Sequence, residues 1–250
     1  MSAPWAFCPL LEPFAPATWL LSEDESRHAS ASRRLRVGDA ITVFNGRGLV
    51  GEGTVAAEEA GGALRVSVSS THSPPTPRLV IEIASALPKG DRLATLLEAI
   101  GPFAAARFTP LTCERSVVAW SPAMESRAMR VLVAACKQSR QPSLPVLAPK
   151  ATVSEAAALL ASRCSHLVVA HPGGGSILDV LRPIGQEAPA RLAILIGPEG
   201  GFSEGEIAAA TSHGARAVSL GAAVLRIELA VAAALAACRM GEWSVSGSNR

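Results

Sequence analysis

The chain has 250 residues, 49% of them hydrophobic and 18% charged, with a formal net charge of +2. This composition excludes a disordered chain and suits one large or two modest globular domains with ample core. The five cysteines (8, 113, 136, 164 and 238) form no C-x-x-C pair and have no zinc spacing with the five histidines, so a reducing compartment and buried thiols are expected, and no metal.

Met1–Leu21 lacks a basic leader and is broken by Pro4, Pro9, Glu12, Pro13 and Pro16. It does not read as a signal peptide, and no later segment reads as a membrane span, so a cytoplasmic protein without a membrane partner is expected. Ser22–Leu35 reads as a helix. Gly38-Asp39 turns into a strand over Ala40–Phe44, Asn45-Gly46 is a hairpin signal, and Leu49–Ala56 is the return strand. Leu64, Val66 and Val68 alternate with Arg65 and Ser67, as in a strand with one wet face. Up to Ser73 the texture is that of a small β barrel. Arg27, Arg33, Arg34, Arg36 and Arg47 crowd this region, and arginine outnumbers lysine twenty to three. The planar arginine fork suits phosphate oxygens, although a solvated surface would look the same in sequence.

Ser73-Pro74-Pro75-Thr76-Pro77 is the clearest linker, giving domains at 1–73 and 78–244, a linker at 74–77 and a flexible tail at 245–250. Beyond the linker, strands and helices alternate. Strands are expected at Leu79–Ala86, Arg107–Leu111, Leu167–Ala170, Leu192–Ile196 and Ala217–Leu220. Helices are expected at Asp91–Ile100, Pro122–Arg140 with Ser121 as N-cap, Thr152–Ser162 and Glu204–His213, with a buried helix over Leu229–Cys238. That alternation predicts an α/β domain with a mostly parallel sheet covered on both faces.

The apolar run Leu192–Ile196 stops at Gly197-Pro198-Glu199-Gly200-Gly201, where three of five residues lack side chains, and Ser203 with Glu206 has capping-box spacing before Ile207. Strand, bare loop and helix start is how an α/β sheet builds a ligand crevice, though an ordinary tight turn has the same outline. No Lys-Ser/Thr follows, so a nucleoside triphosphate is not the expected ligand. Gly173-Gly174-Gly175 is a poor dinucleotide fingerprint because Leu178 fills its third glycine place. A second strand ends on glycine at Ala217–Gly221, followed by Leu225-Arg226-Ile227-Glu228.

Gly-Pro-Glu-Gly-Gly-Phe-Ser-x-x-Glu-Ile, followed by Leu220, Gly221, Leu225, Arg226, Glu228 and Ala230 in the pattern Leu-Gly-x-x-x-Leu-Arg-x-Glu-x-Ala, resembles the RsmE family of 16S rRNA (uracil-N3)-methyltransferases, of the SPOUT class. The resemblance implies a trefoil-knotted α/β domain preceded by a PUA-like β-barrel that binds RNA. It also implies S-adenosyl-L-methionine (AdoMet) as cofactor, N3 of a uridine in small-subunit rRNA as methyl acceptor, and a homodimer with the site near the subunit interface. The family's His…Leu-Arg…Gly-Asp pattern falls on His28, Arg33, Leu35, Arg36, Gly38 and Asp39.

Methyl transfer from a sulfonium requires alignment, exclusion of water and removal of the uracil N3 proton. Arg226 is assigned to anion stabilisation or a phosphate contact, and Glu228 to proton removal or to capping the last helix. Leu195, Ile196, Gly197, Glu199, Gly200, Gly201, Leu220, Gly221 and Leu225 are assigned to the cofactor. His171 is a further cofactor candidate, or a hydrogen-bonded loop residue. Arg27, His28, Arg33, Arg34, Arg36, Lys89, Arg92, Arg115 and Arg140 are assigned to RNA, with Lys89-Gly90-Asp91-Arg92 and Glu114-Arg115-Ser116 matching family turns.

Three departures stand on the expected substrate side. The family's Gln-Lys-x-x-Glu-Leu-Gly is replaced over Glu98–Ala104, where Pro102 should also end the helix early. Gln-Ser-Gly-Arg becomes Gln138-Ser139-Arg140-Gln141, and both threonines of Leu-Arg-Thr-Glu-Thr-Ala are replaced, by Ile227 and Leu229. An enzyme of this class with a different RNA target, or a catalytically silent AdoMet- and RNA-binding homologue, are the alternatives these losses raise.

Overall fold

The computed structural model describes residues 3–13, 17–184 and 189–246. The chain divides into two compact units, Met1–Thr76 with Val133–Leu144, and Pro77–Leu132 with Pro145–Arg250.

The first unit contains β1 (Trp5–Phe7), β2 (Ala17–Leu20), α1 (Glu23–Arg33), β3 (Ala40–Phe44), β4 (Val50–Glu58) and β5 (Leu64–His72). The strands form one five-stranded sheet in the order β1-β3-β4-β5-β2, antiparallel except where β1 runs parallel to β3. Alternation in β5 buries Leu64, Val66 and Val68 against Ile41, Val43 and Val55, with Leu11 and Leu21 closing the same core. Ser22 caps α1 by accepting from Glu25 N, and Glu23, Asp24 and Glu25 complement the helix dipole.

The expected domain boundaries placed residues 133–144 in the second domain, whereas their contacts lie in the first unit. The cause is non-local. Leu144 N donates to Gly46 O at 2.9 Å, Gly48 N donates to Pro142 O at 3.1 Å, and Lys137 Nζ pairs with Glu25 at 2.7 Å, both side chains nearly buried.

The second unit contains β6 (Leu79–Ser85), α2 (Arg92–Ile100), β7 (Arg107–Thr112), α3 (Pro122–Ser139, which runs across the division between units), β8 (Val146–Leu147), β9 (Ala151–Thr152), α4 (Val153–Arg163), β10 (His166–Ser176), α5 (Ile177–Ile184), β11 (Ala190–Ile196), α6 (Glu204–Ser212), β12 (Arg216–Ser219) and α7 (Ile227–Ser246). Its sheet runs β12-β10-β11-β6-β7-β8 with every pair parallel, and β9 pairs separately with β7. Near-continuous apolar runs form β6 and β11 because both faces of these strands are covered. α2 stops at Ile100 with Gly101 as C-cap, one residue before Pro102. The expected tail begins inside α7, whose apolar start carries it to Ser246; residues 247–250 lie outside the described residues.

All five cysteines are buried, and none is in a disulfide. Burial pushes the Cys113 and Cys136 thiols up to about 12 and Cys164 to about 11, with Glu206 adding to Cys113 and Glu82 to Cys164. The native protein is therefore expected to be nearly inert to a thiol-reactive disulfide at neutral pH and to react at five thiols once unfolded in guanidinium. Rapid native labelling of two or more thiols would contradict this burial.

Candidate functional site

β10, β11 and β12 are neighbours, and their carboxyl ends open into a cavity of about 510 Å3. It lies within the second unit, and its volume falls in the roughly 300–1,000 Å3 range of small-molecule sites. Ligands of open α/β sheets are expected at this end of the strands. The wall on one side is Ile196–Gly201, on another Ser219–Leu225, and on a third Ala170, His171, Pro172 and Gly174, with Ala230 of α7 completing it.

Local chemistry fixes the first wall. Gly201 N donates to Pro198 O at 2.8 Å to close a turn, and Gly201 takes φ +70°, where a side chain would be strained. Ser203 Oγ then accepts from Glu206 N at 3.2 Å while Glu206 Oε2 accepts from Ser203 N at 2.8 Å, so the expected capping box starts α6. The opposite wall ends with Ser219 Oγ accepting from Gly221 N at 3.2 Å.

β10 supplies the third wall through an irregular stretch. Both Ala170 and Gly175 pair with Val218, so residues 171–174 bulge out of the ladder toward the cavity. Gly174 permits this. A Cβ there would lie 2.5 Å from Ala217 C and Val218 N, and both are backbone atoms.

Ile196, Gly197, Glu199, Gly200, Gly201, Leu220, Gly221, Leu225 and His171 all line the cavity. Leu195 does not; it is fully buried within β11, because alternation turns it into the sheet packing. His171 also keeps a local role, its Nδ1 accepting from Gly173 N at 3.1 Å. Arg226 and Glu228 are not in the lining but stand between Leu225 and Ala230, which are. Arg226 is exposed, and its carbonyl receives Ala230 N as α7 begins. Glu228 is 6% exposed, and its Oε2 has no hydrogen-bond partner among the described residues.

The residues assigned to RNA are scattered. Arg27 is exposed and pairs with Asp24 at 3.3 Å. His28 lies on α1, Arg34 is the C-cap of α1 at φ +54°, and Arg36 is exposed. Arg33 ends α1, but its side chain lies outside the described residues. Lys89 is exposed. Arg92 and Arg115 reach the Ile196–Gly201 wall of the cavity: Arg92 Nη1 is 3.3 Å from Glu199 Oε1, and Arg115 Nη1 donates to Gly200 O at 2.7 Å. Arg140 lines a separate concavity of about 640 Å3 in the first unit, with Trp5, Glu52 and His72.

Sequence reasoning missed Pro172, Gly174, Pro198, Ser219, Ala222, Ala223, Val224 and Ala230 of the lining. The available signal for Gly174 was the glycine run itself, set aside because it fitted no dinucleotide fingerprint. Arg239 was also missed. It donates to Phe103 O at 2.7 Å, Ala104 O at 2.9 Å and Leu79 O at 2.9 Å, holding the 101–104 stretch where the sequence departs from the family pattern.

Residues 74–239 match the family model described as RNA methyltransferase domain, and residues 21–66 match the RNA methyltransferase PUA domain. The ribosomal RNA small subunit methyltransferase E of Mycobacterium bovis is 32% identical over 248 residues, covering 95% of this chain and 92% of that protein. The chain belongs to the ribosomal RNA small subunit methyltransferase E family. Its fold is that of a family member from Neisseria gonorrhoeae solved with S-adenosyl methionine, at 24% identity and TM-score 0.84, covering 96% of this chain and 98% of that one. A probable rRNA-methyltransferase from Porphyromonas gingivalis is 26% identical with TM-score 0.82, covering 96% and 99%. The family's fold therefore accounts for both units described above, a PUA-like sheet unit and an α/β unit.

Proposed function

We propose that this chain is an AdoMet-dependent methyltransferase that modifies N3 of a uridine in 16S rRNA. The single observation that carries the reading is the cavity at the carboxyl ends of β10, β11 and β12, walled by the residues that the family motifs supply. The site fits the cofactor. Its walls are mostly peptide groups and small apolar side chains, as an adenine and a thioether chain require, and glycines at 174, 197, 200, 201 and 221 leave the backbone accessible. When bound, AdoMet supplies an electrophilic methyl group.

The chain's own residues bind, orient and exclude water. Gly197–Gly201 and Ser219–Leu225 present backbone donors and acceptors, and Leu225 gives an apolar contact. Glu228, buried and with no partner for Oε2 among the described residues, is assigned the uracil N3 proton. Arg226, exposed beside the cavity, is assigned the developing charge on the base or its phosphate. RNA is bound by the first unit, a reading supported by its PUA match and by the concavity carrying Trp5, His72 and Arg140.

A homodimer is part of this reading. Val224 (86% exposed) in the cavity wall and Leu229 (51%) at the start of α7 are large apolar side chains left in water beside the site. The second unit is knotted, and the protein works in the cytoplasm on its rRNA. No helix among the described residues is long and apolar enough to cross a membrane. Among the described residues no cluster is placed to hold a metal ion. Isothermal titration with AdoMet is expected to give saturable binding at one site per chain. No measurable heat at millimolar AdoMet would remove every enzymatic reading.

A further inference from the structure

Arg115 stands at the carboxyl end of β7 and was expected to touch RNA. Its Nη1 donates to Gly200 O at 2.7 Å and to Phe202 O at 3.5 Å. A Cβ at Gly200 would lie 3.4 Å from Arg115 Cδ, so the arginine stem also packs along the loop. The preceding residue makes a second tie: Glu114 N donates to Glu206 Oε1 at 2.9 Å, on the carboxylate that completes the α6 capping box. Residues 113–116 are themselves closed, with Cys113 N donating to Ser116 Oγ at 3.0 Å and Ser116 N to Cys113 O at 3.0 Å.

We infer that Arg115 is a positioning residue of the cofactor loop rather than a contact to RNA phosphate, an inference that rests on the proposed AdoMet site. A loop with glycines at 197, 200 and 201 has many accessible conformations, and each must be suppressed before its peptide groups can meet a ligand in one geometry. Arg115 fixes the peptide planes following Gly200 and Phe202 from outside the cavity, and a charged donor makes the stronger class of hydrogen bond. Arg92 assists by holding Glu199 at 3.3 Å.

The test uses the full-length protein and Arg115→Ala, with Arg115→Lys as the conservative variant. AdoMet affinity is measured by titration, binding of a 16S rRNA transcript by filter retention without cofactor, and amide hydrogen exchange over residues 198–206 without any ligand. Arg115→Ala is expected to weaken AdoMet binding at least tenfold, leave RNA binding within twofold and speed exchange in 198–206 but not in β6. Arg115→Lys should recover part of the AdoMet affinity through one carbonyl. RNA binding that falls while AdoMet binding and exchange stay unchanged overturns the inference. If the wild-type protein binds no AdoMet, the cofactor reading fails by itself, and unchanged loop exchange in the variant would still refute the bracing role.

Discussion

Gly174→Ala is expected to cost AdoMet affinity by at least tenfold and to lower thermal stability, while Gly175→Ala, one residue along, leaves both near wild type. The added Cβ at 174 would meet Ala217 C and Val218 N at 2.5 Å and Ala217 O at 2.6 Å. Backbone atoms in a paired strand cannot swing away as the end of a side chain can, so β12 or the 171–174 bulge must shift. Overpacking of this kind costs about 1–3 kcal/mol. Both elements that would move are walls of the cavity, so the strain appears in ligand affinity as well as in stability, and about 1.4 kcal/mol suffices for tenfold. A Cβ at Gly175 meets nothing within 4 Å, which makes that variant the matched control. Equal effects of the two substitutions on AdoMet titration and on Tm would contradict the close approach of β10 and β12.

The second large effect is expected in the interior of the same sheet. Glu82, in the middle of β6, has a side chain 1% exposed and faces Arg191 at 2.6 Å, Arg163 at 3.2 Å and Arg107 at 3.4 Å. Burial pushes its carboxyl up, but hydrogen bonds from Arg163 and Arg191 and the charges of Arg163 and Arg107 outweigh that and hold it below the ordinary glutamate range. Breaking a buried pair from one side costs about 3–5 kcal/mol. Here Arg163 and Arg191 are about two-fifths exposed and regain water, so Glu82→Gln should cost roughly 2 kcal/mol, or about 4–8 °C in Tm. Because the folded carboxyl is depressed, its contribution is complete above the unfolded value of about 4.3 and is lost as pH falls through the folded value. The stability gap between wild type and Glu82→Gln, measured by urea unfolding, should therefore be constant from pH 7 to 5 and narrow below about pH 4. A gap that widens on acidification would contradict the assignment.

The parts of this fold legible in the sequence are those written in local chemistry. The capping boxes at Thr152–Glu155 and Ser203–Glu206 are fixed by spacing alone and are formed in the structure. The buried strand at Leu192 is an unbroken apolar run, the one at Leu79 is interrupted only by Glu82 and Ser85, and the GPEGG stretch carries a family motif. What was missed depends on distant partners. α5 is the exception, since it buries Ile177, Val180, Leu181 and Ile184 at helical spacing and is only eight residues long behind a glycine run. β1 and β2 lie in a proline-broken stretch and acquire strand geometry only by pairing with β3 and β5. Glu82 reads as one charge in an apolar strand; its arginines lie 25, 81 and 109 residues away.

The cavity was legible in outline because motif residues cluster in two segments. Its third wall was not, since the register slip that brings 171–174 to β12 has no sequence signature beyond glycines. The departures from the family pattern lie in ordinary packing positions. Ile227 is buried and Leu229 is half exposed where the family has threonines, and Arg239 holds the 101–104 stretch through backbone carbonyls that no side-chain motif encodes.

The most direct measurement is the methylation state of 16S rRNA in a strain lacking this chain and in the same strain complemented with it. Nuclease digestion and mass spectrometry should find N3-methyluridine absent from the deletion strain's 16S rRNA and restored by the wild-type protein. N3-methyluridine that persists at full level in the deletion strain would contradict the proposed activity.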